Sequence, residues 1–213
     1  MDFSRLYFFF KRSFDLVFSL CTLIVLAPLF FVLAVAIKCD SKGPVLYKDT
    51  RVGLNGKLIA VYKFRTMHLH ADKKLASLLA ERPELKAEWD RYQKIKCDPR
   101  CTPLGKRLRQ LSLDELPQFF CVLKGDLSIV GPRPYSLLQM QSDQDGFLQH
   151  RAATLLSVKP GITGIWQVSG RSYLPYQTRI ALDCSYIEKK SFSYDLLLVL
   201  KTVPQLFVSK GAF

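Results

Sequence analysis

The longest apolar run in the chain extends from Leu16 to Ile37 and contains no charged residue; Ser19 and Thr22 are its strong side-chain hydrogen-bonding groups. Its length exceeds the roughly 18–20 residues a helix needs to cross a bilayer core. A secretory signal peptide would have a shorter apolar region and a small-residue cleavage site, which Lys38-Cys-Asp-Ser-Lys42 does not resemble. Pro28 lies near the middle, removes a backbone donor and leaves the Ile24 carbonyl without its helical partner. The helix is therefore expected to kink or break at Ala27–Pro28. Both flanks are basic, Lys11 and Arg12 before and Lys38, Lys42, Lys48 and Arg51 after, so charge gives no preference for crossing. A re-entrant helix with both ends on one side satisfies these cues; an ordinary kinked span is the alternative.

Beyond residue 40 the pattern changes. Val45–Lys48 and Lys57–Phe64 carry apolar, β-branched and aromatic residues around Gly53-Leu-Asn-Gly56, which predicts a β-hairpin. Residues 70–96 read as one solvated amphipathic helix, with Leu85, Trp89 and Tyr92 on one face, supporting a site without a chemical role of its own. Asp98-Pro-Arg-x-Thr102 reads as a turn. Gly131-Pro-Arg-Pro134 is a rigid loop that can hold Arg133 at a fixed point, because its prolines exclude ordinary helix or central strand. Lys159-Pro-Gly-Ile-Thr-Gly164 reads as a second turn-rich loop. The apolar run from Tyr194 to Val208 predicts either a core helix or one lying on a membrane surface. The expected fold class is helix-rich α+β. Residues 1–40 form a membrane-embedded, Pro-broken re-entrant helix, and residues 41–213 a small cytosolic catalytic domain at the membrane interface.

Charge narrows the partners. The formal net charge is +13 over 213 residues, which points to an anionic partner: nucleic acid, phosphorylated substrate or anionic lipid. The 15 Phe and 9 Tyr would permit nucleic-acid binding, but no recognised nucleic-acid motif is present and adjacent carboxylates would repel phosphate. The six cysteines lack the spacing of a disulfide framework, so reduced thiols are expected. Cys97-x3-Cys101 with His68 and His70 is a poor zinc pattern without a CxxC knuckle.

The richest chemistry lies in Leu111-Ser-Leu-Asp-Glu-Leu-Pro-Gln118. It sets Asp114 and Glu115 among Arg100, Lys106, Arg107, Arg109, Lys124 and Arg133. Acid within base suits phosphoryl transfer: cations hold phosphates while a carboxylate binds metal or attacks phosphorus. Ser112-x-x-Glu115 is equally a capping box, in which Glu115 would bond back to the Ser112 backbone. In either reading Asp114 lies near a helix N-terminus, whose dipole, with nearby arginines, is expected to keep it ionised.

Eleven features occur in order: Lys-Arg-x-Phe-Asp15, the Pro28-interrupted apolar segment, Gly-Pro-Val-Leu-Tyr47, Arg-Val-Gly53, Tyr-Lys-Phe-Arg-Thr-Met67, Asp-Pro-Arg-x-Thr102, Ser-Leu-Asp-Glu-Leu-Pro-Gln118, Gly-Asp126, Val-Gly-Pro-Arg-Pro134, Lys-Pro-Gly-Ile-Thr-Gly164 and Trp-Gln-Val-Ser-Gly-Arg171. From about Lys11 to the C-terminus the chain resembles the bacterial sugar transferases, monotopic polyprenyl-phosphate hexose-1-phosphate transferases. The resemblance implies transfer of a hexose-1-phosphate from a UDP-sugar to undecaprenyl phosphate, with UMP released, as the first membrane step of a surface polysaccharide. Asp114 matches the family nucleophile that forms a covalent phosphosugar intermediate. Glu115 matches its partner in metal or proton handling, with Mg²⁺ the implied cofactor held by Asp114 and Glu115. Arg133 and Arg171 would bind phosphate, supported by Arg65 and Arg109; Lys63 and Asp183 complete the expected substrate-binding set. The implied location is the bacterial inner membrane, with the catalytic domain facing the cytosol and touching inner-leaflet lipids. A homo-oligomer and downstream glycosyltransferases are the implied partners, and nucleic acid is not. A catalytically idle scaffold of a glycan-assembly complex is the alternative. Two features depart from the family: Ala27 stands where many relatives have serine before the proline, and some relatives carry a multi-span region ahead of this segment, so the chain reads as a minimal enzyme or a catalytic portion. The 68–96 segment and the Gly-Ala-Phe213 ending resemble the hexose branch.

Overall fold

The computed structural model describes residues 3–71, 73–141 and 146–207; the Gly-Ala-Phe213 ending lies outside them. Helix α1 spans Phe3–Asp40 and contains Pro28. The expected break at Ala27–Pro28 is not found: helical backbone runs through. A single proline removes one hydrogen bond, and the intact ladder on either side carries the helix past it. Both halves of α1 lie against the rest of the protein. In the first half, Lys11 donates to the Val130 carbonyl at 2.8 Å and pairs with Asp195 at 2.7 Å. Arg12 donates to the carbonyls of Val122 and Leu123, and Asp15 accepts from the Ile129 amide at 2.9 Å. In the second half, Leu33 and Ile37 pack with Phe64 and Leu108. The outer face is apolar and open, with Ile24, Val25 and Phe31 all exposed.

The predicted hairpin forms. Strands β1 (Leu46–Val52) and β2 (Leu58–Phe64) pair antiparallel from Leu46↔Phe64 to Val52↔Leu58. Asn55 (φ 54°) and Gly56 (φ 79°) take the left-handed conformations the turn requires. The single helix expected over 70–96 is instead two, α2 (Lys73–Glu81) and α3 (Pro83–Tyr92). Arg82 is extended because a residue before proline is excluded from the helical region, and Pro83 then opens α3. Leu85, Trp89 and Tyr92 are half-buried, as their spacing predicted.

Helix α4 (Pro103–Gln110) starts where the Thr102 hydroxyl accepts the Gly105 amide at 2.9 Å. A 3₁₀ turn over Leu113–Glu115 leads into α5 (Gln118–Lys124), which Gly125 ends at φ 92°. The loop expected over Lys159–Gly164 holds a strand: β4 (Gly161–Thr163) pairs parallel with β3 (Ser128–Val130). Three residues of strand are too few for a visible alternation. The pairing rests on glycine, since a Cβ on Gly131 would meet the Lys159 carbonyl at 2.5 Å.

Short helices α6 (Leu137–Gln141), α7 (Ala152–Leu155) and α8 (Ile165–Ser169) lead to α9 (Tyr176–Lys189) and α10 (Phe192–Phe207). One core gathers Val61, Val122, Leu127, Val130, Leu148, Ile180, Tyr186 and Leu198. On α10, Asp195 and Leu198 are buried while Leu197, Leu200 and Val203 are exposed, so this helix lies on the core by one face. The cysteines are free thiols, and among the described residues no group of three or more His, Cys, Asp or Glu side chains could hold a metal.

Candidate active site

Local structure sets the carboxylate pair. Ser112, at φ 56°, turns the chain sharply after α4, and the 3₁₀ turn directs Asp114 inward. The capping box does not form: the Ser112 side chain makes no cap bond, and the Glu115 carboxylate pairs with Lys63 Nζ of β2 at 3.3 Å. Asp114 is buried, while the Glu115 side chain is about one-third exposed. Both line a cavity of about 1490 Å³ whose wall also holds Lys63, Lys94, Arg109, Arg133 and Arg171.

The two acids differ in proton affinity. Burial, and then the Glu115 charge, push the Asp114 carboxyl up to about 6 against the opposing pull of Lys63, Arg109 and Lys94. Asp114 thus stays mostly ionised near neutral pH, as expected from the nearby arginines and helix N-terminus, but its burial raises its proton affinity. Burial also raises Glu115, but Lys63, Arg133 and Lys94 together outweigh it and hold Glu115 below the usual carboxylate range. Near neutral pH Glu115 is a fixed anion, and Asp114 is mostly ionised yet holds its proton more tightly than an ordinary aspartate.

The cations arrive from separate elements. Arg109 on α4 donates through Nε to the Thr66 hydroxyl at 3.0 Å. Arg133 leaves the Gly131–Pro134 loop with its guanidinium 5.1 Å from the Trp166 ring centroid. The rigid loop is real: the Gly131 amide donates to the Thr163 carbonyl at 2.9 Å, and the Arg133 amide to Asp183 at 3.0 Å. Arg171 follows Gly170, is buried, and is held at φ 53°. Burial and Arg51 lower the Arg133 pKa; burial lowers that of Arg171, against the charge of Glu115.

Two expected substrate-binding residues have backbone partners in the fold, and Arg65 also lines the cavity. The Arg65 guanidinium donates to the carbonyls of Lys42, Ser41 (2.8 Å) and Ile37 (3.5 Å), fastening the segment that follows α1. Asp183 on α9 is fully buried beneath the Arg133 loop, accepting from the Arg133 amide and from the Tyr135 hydroxyl at 2.9 Å. Arg100 is likewise engaged, in a buried pair with Asp98 at 2.6 Å. Lys94 is the residue the sequence reading missed. It lies in a strongly charged stretch where one lysine carries no distinguishing signal.

The donor set fits a substrate-bridged Mg²⁺, which takes one or two carboxylates and completes its shell with phosphate and water. Asp114 and Glu115 supply that pair at the cavity wall.

Comparison with known proteins agrees with the motif order. The family model described as bacterial sugar transferase matches residues 6–209. The exopolysaccharide production protein ExoY of Sinorhizobium fredii is 39% identical over 203 residues, 95% of this chain and 88% of that protein. The undecaprenyl-phosphate galactose phosphotransferase of Salmonella typhimurium is 41% identical over 96% of this chain, but over 42% of its own length. The UDP-glucose:undecaprenyl-phosphate glucose-1-phosphate transferase of Escherichia coli is 36% identical over 95% of this chain and 41% of its own length. The chain thus spans most of the first relative and about two-fifths of the other two. With a match running almost end to end, the chain belongs to the bacterial sugar transferase family.

Proposed function

We propose that this protein transfers a hexose-1-phosphate from a UDP-sugar to undecaprenyl phosphate and releases UMP, beginning a surface polysaccharide such as an exopolysaccharide. The observation that carries the reading is the Asp114–Glu115 pair, a buried acid of raised and a partly exposed acid of lowered proton affinity, in a cavity walled by cations. The relatives' names, which specify undecaprenyl phosphate and galactose or glucose, supply the substrate class.

In the proposed mechanism an Asp114 oxygen attacks the sugar-bound phosphorus, the bond from that phosphorus to the bridging oxygen breaks, and UMP leaves with that oxygen. A phosphate oxygen of the lipid then attacks the same phosphorus and expels the Asp114 carboxylate. The sugar C1–O bond is untouched, so the anomeric configuration is retained. Arg133 and Arg171 bind phosphate, and Arg109 and Lys63 orient the two carboxylates. Mg²⁺, held by Asp114 and Glu115, would neutralise diphosphate charge.

The same reading makes the protein monotopic. Lys11 before the apolar segment and Ser41 after it touch one body, so a domain on one membrane face would hold both ends of α1 on that face. The exposed apolar face of α1 would enter the lipid, setting the cavity at the cytosolic boundary of the inner membrane, where the lipid phosphate lies.

The test uses full-length protein in nanodiscs with Mg²⁺, undecaprenyl phosphate and a panel of UDP-sugars, reading UMP. Lipid-dependent UMP release with one sugar, falling roughly 10³-fold or more in Asp114→Asn, is expected. UDP in place of UMP would mean glycosyl transfer and refute the aspartyl-phosphosugar route. No release with any sugar would favour an idle scaffold.

A further inference from the structure

Lys94 is among the basic side chains of the cavity wall that have no part in the mechanism above. Lys94 follows α3, and its neighbours hold it in place on both sides. Gln93 closes α3 at φ 51°, its amide donating to the Trp89 carbonyl at 2.6 Å. The Arg179 guanidinium of α9 donates to the Tyr92 carbonyl, and Ile95 is buried in the interior. The segment is thus fastened to α9 and to the core, and Lys94 faces the cavity that holds Asp114 and Glu115.

Charges of both signs act on it. Lys94 acts on both carboxylates. Of the charged groups that act on Lys94 most strongly, Arg133, Lys63 and Arg179 oppose its charge and Glu115 favours it. Cations gathered round a partly desolvated cavity repel one another until an anion enters. The diphosphate of a nucleotide-sugar would bring two further negative charges to these cations.

We propose that Lys94 is a phosphate ligand of the nucleotide-sugar, gripping its diphosphate from the end of α3 in the cavity that holds the dyad. This rests on the proposed function for the identity of the substrate. The nucleotide-sugar is chosen because Lys94 acts, with Lys63, on both carboxylates of the dyad, where its phosphorus would be attacked; Phe18, Thr22 and Leu26 of α1 also line the cavity, so the lipid phosphate is the second arm of the test. The α2–α3 segment is then part of the binding site as well as a support for it.

The test pairs kinetics with labelling of the full-length protein in nanodiscs. Lys94→Met should raise KM for the UDP-sugar about 10- to 100-fold, the loss of one charge-assisted phosphate contact, with a smaller change in kcat. Lys94→Arg should recover most of that loss. In the wild-type protein, UDP should protect Lys94 from amine acylation, read by peptide mass spectrometry, and undecaprenyl phosphate should not. An unchanged KM in a folded Lys94→Met protein overturns the proposal. So does protection by the lipid phosphate alone, or by neither ligand. Should Lys94→Met fail to fold, the wild-type labelling decides. Absence of wild-type UMP release would count against the proposed function, while protection by UDP, which needs no turnover, would still decide the role of Lys94.

Discussion

At the scale of single residues, buried acids divide the work. Asp114 and Glu115 are neighbours in sequence, but one faces a buried turn and the other meets Lys63, and their proton affinities part accordingly. Asp183 has a third environment. It is fully buried, one oxygen holds the Arg133 amide and the Tyr135 hydroxyl, and the other has no partner among the described residues. Burial pushes its carboxyl up to about 7, against those two hydrogen bonds and Arg133 and Arg179. A carboxyl raised in the folded state favours folding while it is protonated there. Its contribution is complete below the unfolded value near 4 and is lost as pH rises through about 7. Asp183→Asn keeps an acceptor for the Arg133 amide and removes the titration. Its melting temperature should therefore fall less than that of the wild type between pH 5 and pH 8, which thermal denaturation across that range would read. Parallel curves for the two proteins would mean that Asp183 titrates normally.

At the scale of elements, the boundaries are set by short-range chemistry and their docking by long-range contacts. Pro83 splits the charged segment into α2 and α3, and Thr102 opens α4. The segment after α1 is another matter: the carbonyls of Ser41 and Lys42 are met by Arg65, more than twenty residues away on the far side of the hairpin. Removing that guanidinium leaves those carbonyls unpaired in a partly buried place. Arg65→Ala should cost about 2–3 kcal/mol of stability, seen as a lower denaturation midpoint, with KM for the UDP-sugar changed less than twofold. A large rise in KM at unaltered stability would return Arg65 to the phosphate-binding set.

For the molecule as a whole, the decisive relation is between α1 and the remaining fold. Lys11 reaches Asp195 of α10 and the Val130 carbonyl of β3, while Ile37 packs beside Phe64 and Leu108, so the apolar stretch is tethered at both ends. A span would carry one tether across the bilayer. Single cysteines placed at Phe8 and Lys42 in a cysteine-free background should react from the same side with a membrane-impermeant reagent. Labelling from opposite sides would replace the monotopic arrangement with a crossing helix.

The sequence by itself determined the hairpin, the apolar helix, the carboxylate pair, the rigid Arg133 loop and the family. These rest on hydrophobic period, turn chemistry and contiguous motifs, which are local properties of the chain. It did not determine which cations serve the site. Arg65 and Arg133 look alike in sequence, yet one fastens the segment after α1 and the other stands over Trp166. Asp183 resembles a ligand until its neighbours are seen to be a backbone amide and a tyrosine hydroxyl. The β3–β4 pairing, the unbroken course of α1 through Pro28 and the delivery of Lys94 to the cavity were likewise tertiary decisions. The reason is common to all of them: the partner that satisfies a long side chain or a three-residue strand lies far away along the chain, and only packing brings it within hydrogen-bonding distance.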